Sequence, residues 1–416
     1  MESNINDVID RGNLFVFVRD TQNIPIQNAN IQITYTGNPD TQLEQLQTDS
    51  QGQTETISLP TPPVEWSLDE TNINQPYSEY NVRVDAEGYE PVEISGIELL
   101  SGTTAQQDIR LEPTATGEFG EDYVIGPHTL YGDYPPKIAE SEIKPVNETG
   151  EIVLSRVVVP EFVVVHNGAP SDSTAKDYYV PYRDYIKNVA SSEIYATWPA
   201  STITANVLAI MSFTLNRVYT EWYRNKGYDF TITSSTAYDH KWIPNRNVFN
   251  EISLVVDEIF DQFLSRPNVK QPILTQYCDG KRVTCPNWMT QWGSKSLGEQ
   301  GYSPIEILRH FYGNDMYINT AQQISGIPAS WPGYNLDTGA SGSKVMQMQE
   351  QLNTIAAVYS KIPTIDADGI FGPRTKEAVR AFQSVFGLPQ TGIVDFRTWY
   401  KISQIYVGIT RIAELN

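Results

Sequence analysis

Glu193 is the residue of this chain best placed for acid chemistry. It closes the stretch VPYRDYIKNVASSE, in which Pro181 opens a helix and Tyr185, Ile186, Val189 and Ala190 recur at helical spacing. Glu193 lies three residues after Ala190, four after Val189 and seven after Ile186. Its carboxyl therefore projects from the apolar face or its edge. Burial disfavours the charged form and raises a carboxyl pKa toward neutrality, the state a general acid needs. The same spacing allows a bland role, a helix-end carboxylate that is solvated or paired with Lys187 or Arg217. Metal chemistry is poorly provided for, because His128, His166, His240 and His310 are scattered without ligand spacing. Cys278 and Cys285 can form one hairpin disulfide, remain thiols or supply half a metal site, and two cysteines do not decide among these.

The elements that must hold Glu193 can be read on both sides of it. Residues Ser201 to Val218 are apolar nearly all round, which predicts a buried helix packed on the first. Farther on, Thr290-Gln291-Trp292-Gly293-Ser294 reads as a tight turn before a helix. Ser303-Pro304-Ile305-Glu306 then has the capping pattern of a last helix over Ile305 to Phe311. The chemistry is expected within residues 161–325.

The flanking regions are of other kinds. Residues 1–112 hold nineteen acids against four arginines and no lysine, so most of the chain's formal charge of −21 sits in front. Nucleic acid is disfavoured as a partner, since a phosphate backbone needs a basic face. Short alternating runs at Asn13 to Arg19, Ala29 to Tyr35, Gln53 to Leu59, Glu79 to Ala86 and Gln106 to Leu111 predict an all-β sandwich. Turn signals at Asn38-Pro39, Gly52, Gly88 and Gly102 separate them. Residues 113–160 turn to Gly, Pro, Thr and acids, the composition of a joint, and activating cleavage is expected there. Residues 326–340 read as a linker and 406–416 as a tail.

Residues 341–405 read as a compact helical module. One helix places Val345, Met348, Leu352 and Ile355 on a stripe, and a second, Thr375 to Phe386, does so with Ala378, Val379, Ala381, Phe382 and Val385. Gly369, Gly372, Gly387 and Gly392 are read as turns through positive φ. Overall, the chain is predicted to be multidomain α+β: an N-terminal all-β sandwich, a central α+β catalytic domain and a small three-helix module. With 416 residues and 19% charged side chains it has the profile of a soluble globular protein without a membrane span. The opening MESNINDVIDRGNLFVFV has acids where a secretory signal needs a basic region, so no export signal is expected.

Several of these segments resemble known families. The DGIFGPRT, AVRAFQ and GLPQTGIVD segments resemble the three-helix peptidoglycan-binding module of many wall hydrolases. That resemblance assigns wall contact to Asp368, Phe371, Gly372, Arg374, Phe382 and Gln383. The segments IPIQNANIQI, TDSQGQTETISLP and VRVDAEGYEP resemble the carboxypeptidase regulatory-like or transthyretin-like sandwich, which carries no chemistry. The helix pair bearing Glu193 and the stretch QWGSKSLGEQGYSPIEILRHFYG resemble the stage II sporulation protein D family of peptidoglycan lytic transglycosylases, with Glu193 at the position of their catalytic acid. Where that family commonly has SQYGA, this chain has TQWGS.

The order of segments along the chain is similar to that of the clostridial spore cortex-lytic enzymes. That likeness implies a zymogen cut by a subtilisin-like germination protease, made in the mother cell and acting on spore cortex peptidoglycan at or outside the cortex. No cofactor and no metal are implied. Gln291, Tyr277 and Tyr238 would then orient sugars and Trp198 and Trp292 would stack on them, while Asp184 and Asp239 remain candidates for a second carboxyl. An amidase releasing the stem peptide, and a wall-binding protein without catalysis, are the alternatives.

Overall fold

The computed structural model describes residues 9–114, 122–138, 154–326 and 330–410. It is a mixed α+β chain. Among the described residues up to 111 there are seven strands: β1 (Asp10–Asp20), β2 (Asn30–Tyr35), β3 (Asn38–Gln47), β4 (Ile57–Thr61), β5 (Ser78–Asp85), β6 (Val92–Leu99) and β7 (Thr104–Leu111). Alternation decides which faces turn inward. Leu14, Val16 and Val18 of β1, Ile31 and Ile33 of β2, and Val82 and Val84 of β5 are buried in one continuous core.

Neither sheet of this front region is built from residues 1–112 alone. One is ordered β4, β1, β7 and then Val248–Phe249, with β1 and β7 parallel and Val248 opposite Gln106. The other is ordered β3, β2, β5, β6 and then β8 (Asp122–Val124), which runs parallel to β6. Both sheets therefore recruit an edge strand from later in the chain. Asn38-Pro39 opens β3 rather than marking a turn, and the strand is almost wholly exposed, so no apolar alternation announces it. Gln53 makes only an isolated bridge, to Phe17, before β4 begins at Ile57.

Around Glu193 the frame is helical. Helix α1 (Tyr182–Glu193) follows Pro181, and α2 (Ala200–Tyr219) is buried along most of its length. Helix α3 (Asn250–Ile259) packs on both. The TQWGS segment is not a turn. Gln291 begins helix α4 (Gln291–Glu299), and a Cβ at Gly293 would come within 2.2 Å of Thr290 Oγ1, so the glycine permits close packing. Ser294 fastens α4 to α2 by accepting from Asn206 Nδ2 at 2.8 Å, while its carbonyl accepts from Thr202 Oγ1 at 3.2 Å. Helix α5 (Pro304–Tyr312) has its capping box, in which Ser303 N and Oγ both donate to Glu306 Oε2.

The C-terminal module consists of α6 (Ser343–Ala356), α7 (Pro373–Val385) and α8 (Phe396–Thr410). It is docked on the rest of the chain. Arg183 of α1 donates to Tyr400 O at 2.9 Å and Gln404 Oε1 at 2.7 Å, and Gln51 of the front region donates to Ser360 Oγ at 3.1 Å. Among the described residues, no helix is long and apolar enough to cross a membrane.

Candidate active site

Glu193 is fully buried at the C-terminal end of α1. Its Oε1 accepts from the Lys241 backbone N–H at 2.5 Å and its Oε2 from the Tyr277 hydroxyl at 2.5 Å, with Gln291 Nε2 at 3.4 Å. Burial raises the carboxyl to about 7, although both short hydrogen bonds and the Lys137 ammonium pull it back toward ionisation. Near neutral pH the group therefore exchanges a proton readily, as an acid that must also serve as a base requires. The bland pairings are excluded. Lys187 Nζ lies 2.8 Å from Asp257 Oδ2, and Arg217 Nε lies 2.8 Å from Asp239 Oδ1.

Aromatic rings enclose the carboxyl. Burial pushes the Tyr277 hydroxyl well above its ordinary pKa, so it remains a donor. Its ring stacks on His240 at 5.7 Å, and His240 Nδ1 lies 3.0 Å from the Tyr185 hydroxyl. Burial, with the Lys137 and Arg217 charges, holds His240 neutral. Gln291 Oε1, His240 Nε2 and the Tyr134 hydroxyl are buried without hydrogen-bond partners. Of these, Gln291 Oε1 and His240 Nε2 belong to the central region and offer hydrogen bonds to a hydroxyl-bearing ligand.

The disulfide between Cys278 and Cys285 closes the loop beside the acid. It follows directly on Tyr277, whose strand Tyr277–Cys278 pairs with Met289–Thr290. Inside the loop the Asp279 carboxylate accepts from the N–H groups of Lys281, Arg282 and Val283, a turn that presents Arg282. Among the described residues there is no group of three or more histidine, cysteine or acidic side chains that could hold a metal.

Other candidates lie elsewhere. Trp198 and Trp292 are 3% and 6% exposed and pack on each other at 5.1 Å, and Trp198 Nε1 donates to Ser67 O. In this structure they form a core cluster with Tyr195 rather than a platform for sugars. Tyr238 sits half-buried in the turn after Ser235 and is not among the hydrogen-bond partners of Glu193. Asp239 is saturated by Arg217, Tyr223 and Thr233. Asp184 faces Gln404 instead, in a cavity of ≈ 1090 Å³ between the front region, α1 and the C-terminal module, and Glu193 does not line it. The carboxyl's partners Lys241 and Tyr277, and its neighbours His240, Tyr134 and Lys137, come from distant parts of the chain. Tyr277 and Gln291 were among the expected site residues and both meet the carboxyl, whereas no motif marks Lys241, His240, Tyr134 or Lys137 as its neighbours, because backbone donors and long-range ring contacts leave no spacing signal.

In the C-terminal module two buried glutamines hold two equivalent loops. Gln349 donates to Asp368 Oδ1, Ile370 O and Thr375 Oγ1 and accepts from Gly369 N. Gln383 does the same with Thr391 Oγ1, Ile393 O, Thr398 Oγ1 and Gly392 N. Gln383, Phe371 and Phe382 are thus core residues. Of the expected wall-contacting set, Asp368 and Arg374 are exposed and Gly372 is partly so. Gly369, Gly387 and Gly392 have positive φ, but Gly372 has φ −96° and serves as the N-cap of α7, a position extended backbone satisfies.

Residues 341–402 match the family model described as a putative peptidoglycan binding domain. That stretch, the C-terminal module, is thus similar to a peptidoglycan-binding domain. Among curated proteins, it is 40% identical over 76 residues to a zinc D-Ala-D-Ala carboxypeptidase of Streptomyces albus G, covering 18% of this chain and 28% of that one. It is 35% identical over 82 residues to an uncharacterized protein of Kitasatospora aureofaciens, covering 20% of this chain and 64% of that one. The chain thus spans less than two thirds of either relative. Among solved structures, the SleB N-terminal domain is 31% identical, with 18% of this chain and 99% of that one covered and a TM-score of 0.17.

Proposed function

We propose that the chain is a peptidoglycan lytic transglycosylase, with Glu193 as acid and base and the C-terminal domain as its anchor on the wall. The observation that carries this reading is a single fully buried carboxyl, raised to about 7 and held by Tyr277 and Lys241, in a chain with a peptidoglycan-binding domain. Protonated Glu193 donates to the glycosidic oxygen between N-acetylmuramic acid and N-acetylglucosamine, and the bond from that oxygen to the muramic anomeric carbon breaks. The primary hydroxyl of the same muramic residue then attacks the anomeric carbon and gives its proton to the Glu193 carboxylate. An anhydro end forms and the acid is restored. The nucleophile belongs to the substrate, so the saturation of Asp239 and the remote position of Asp184 are compatible with the chemistry.

The cellular setting of this reading is storage as a zymogen in a spore, with cortex peptidoglycan as substrate and a subtilisin-like protease cutting within residues 113–160. Of that joint, residues 115–121 and 139–153 lie outside the described residues. The test is Glu193→Gln, which keeps the shape and removes the proton. Release of anhydromuramic ends from purified cortex by the activated enzyme should fall about 100- to 10,000-fold, the usual worth of a positioned acid and base. An undiminished rate would refute the site. New free amino termini without anhydro ends would indicate an amidase instead, and no products from the unaltered chain would leave adhesion alone.

A further inference from the structure

The acid is not open to a polymer in this structure, and the segment that covers it can be named. After β8 the chain runs from Pro127 to Ile138 across the end of α1. Thr129 donates through both N–H and hydroxyl to the carbonyl of Ser192, the residue before Glu193, at 3.1 and 2.5 Å. His128 stacks on Tyr195 at 4.5 Å, with Nε2 3.4 Å from Ile194 O. Arg282, presented by the disulfide loop, donates to the carbonyls of Thr129, Leu130 and Gly132. Lys137 Nζ donates to Asp239 O at 2.6 Å and lies 5.7 Å from the Tyr277 ring centroid, while Ile138 N donates to Ala237 O at 2.8 Å. Tyr134, 6% exposed, is close enough that the Glu193 charge raises its pKa, alongside the larger effect of burial.

This segment belongs to the front region by contact as well as by sequence. His128 N donates to the Tyr77 hydroxyl at 3.1 Å, and Ile125 N donates to Ser95 O at 2.9 Å. The front region is itself fastened to the central one. Glu98 and Arg246 form a bidentate ion pair with both contacts at 2.5 Å and both side chains essentially inaccessible, and Asn247 exchanges two hydrogen bonds with the Glu98 backbone. Val248–Phe249 adds a strand beside β7. Separating the two parts would break these contacts and leave the edge of β7 unpaired.

We infer that residues 127–138 lie in the groove that a glycan strand takes during catalysis, and that this segment and the described part of the front region stay seated on the central region when the chain is cut between Ile138 and Leu154. The inference rests on the function proposed above for Glu193. Cutting the chain and uncovering the acid are then two separate steps. The second is displacement of a bound segment whose polar contacts, to the Ser192, Ala237 and Asp239 carbonyls and to Arg282, are those a polyhydroxylated strand can replace.

The full chain with a site-specific protease sequence placed between residues 138 and 154 tests this. After cutting, the two fragments should co-elute on gel filtration without denaturant. Modification of Glu193 by a carbodiimide and amine, read by mass spectrometry, should stay as slow as before cutting. Tyr134→Ala with Lys137→Ala should speed that labelling by about tenfold, the effect of losing ~1.4 kcal/mol of seating. Soluble strands of alternating N-acetylglucosamine and N-acetylmuramic acid should slow it again. If that pair unfolds the chain, Arg282→Ala with amide exchange at Thr129 gives the same reading. Fragments that part on cutting, labelling unchanged by the strap variants, or no protection by glycan would each overturn the inference. Protection by glycan without anhydro products would uphold the groove and refute the transglycosylase reaction, so the two fail separately.

Discussion

Two carboxyls of the central region share burial and differ in everything else. Among the described residues, Glu193, at the end of α1, meets neutral donors at its oxygens, the Lys241 N–H and the Tyr277 and Gln291 side chains, and burial lifts it to about 7. Asp257 on α3 is as deeply enclosed, and burial again opposes ionisation, but Lys187 and Arg183 overcome it and hold the carboxylate far below its ordinary range. The comparison separates chemistry from architecture. A buried acid facing neutral donors keeps a proton to give, whereas one facing two cations serves as a joint between helices.

Breaking the joint should produce the largest effect on stability. Asp257→Ala leaves two buried cations unpaired and should cost about 3–5 kcal/mol in denaturant unfolding. A loss within experimental error would mean that Arg183 and Lys187 find other partners. Next is the pH dependence, in which the two groups have opposite signs. Because the folded pKa of Glu193 is raised, the unfolded chain ionises first as pH climbs from about 4.5 to 7, and stability should decline across that window by up to ~3 kcal/mol and then level off. Asp257 stabilises the fold above its unfolded pKa, and its contribution is lost as pH falls below about 4. The difference between the unaltered chain and Glu193→Gln isolates the first effect, and a difference constant with pH would contradict the raised pKa.

The smallest effect sharpens the acid side of the comparison. Tyr277→Phe removes a hydrogen bond that favours the ionised form, so the pKa of Glu193 should rise further. The alkaline limb of the pH–rate profile for glycan cleavage should move up by about one unit, equivalent to ~1.4 kcal/mol. A limb that stays in place would show that Glu193 does not set it.

Legibility varied with the kind of contact. Helix α1 and the inward direction of Glu193 follow from spacing, as do the α5 cap and the inward faces of β1, β2 and β5, because these depend on local periodicity. Strand β3 has no such pattern, since almost none of it is buried. The two loops of the C-terminal module share a frame visible in the letters, DGIFGPRT and TGIVDFRT, yet the glutamines that organise them are recognisable only from their hydrogen bonds. Trp198 and Trp292 show the limit of reading by residue type. An aromatic side chain serves a sugar face and a core equally well, and here both are packed inside.

By itself, the amino-acid order determined a carboxyl on the apolar side of a helix and a compact helical module whose segments resemble a peptidoglycan-binding domain, because the stripes of both are written in short-range spacing. Only the tertiary structure decided that Lys241, Tyr277 and Gln291 meet that carboxyl, that Lys187 and Arg217 do not, and that residues 127–138 lie across it. Those choices depend on contacts between segments far apart in the chain. Their free energies come from burial and from the pairing of buried polar groups, which no local pattern encodes.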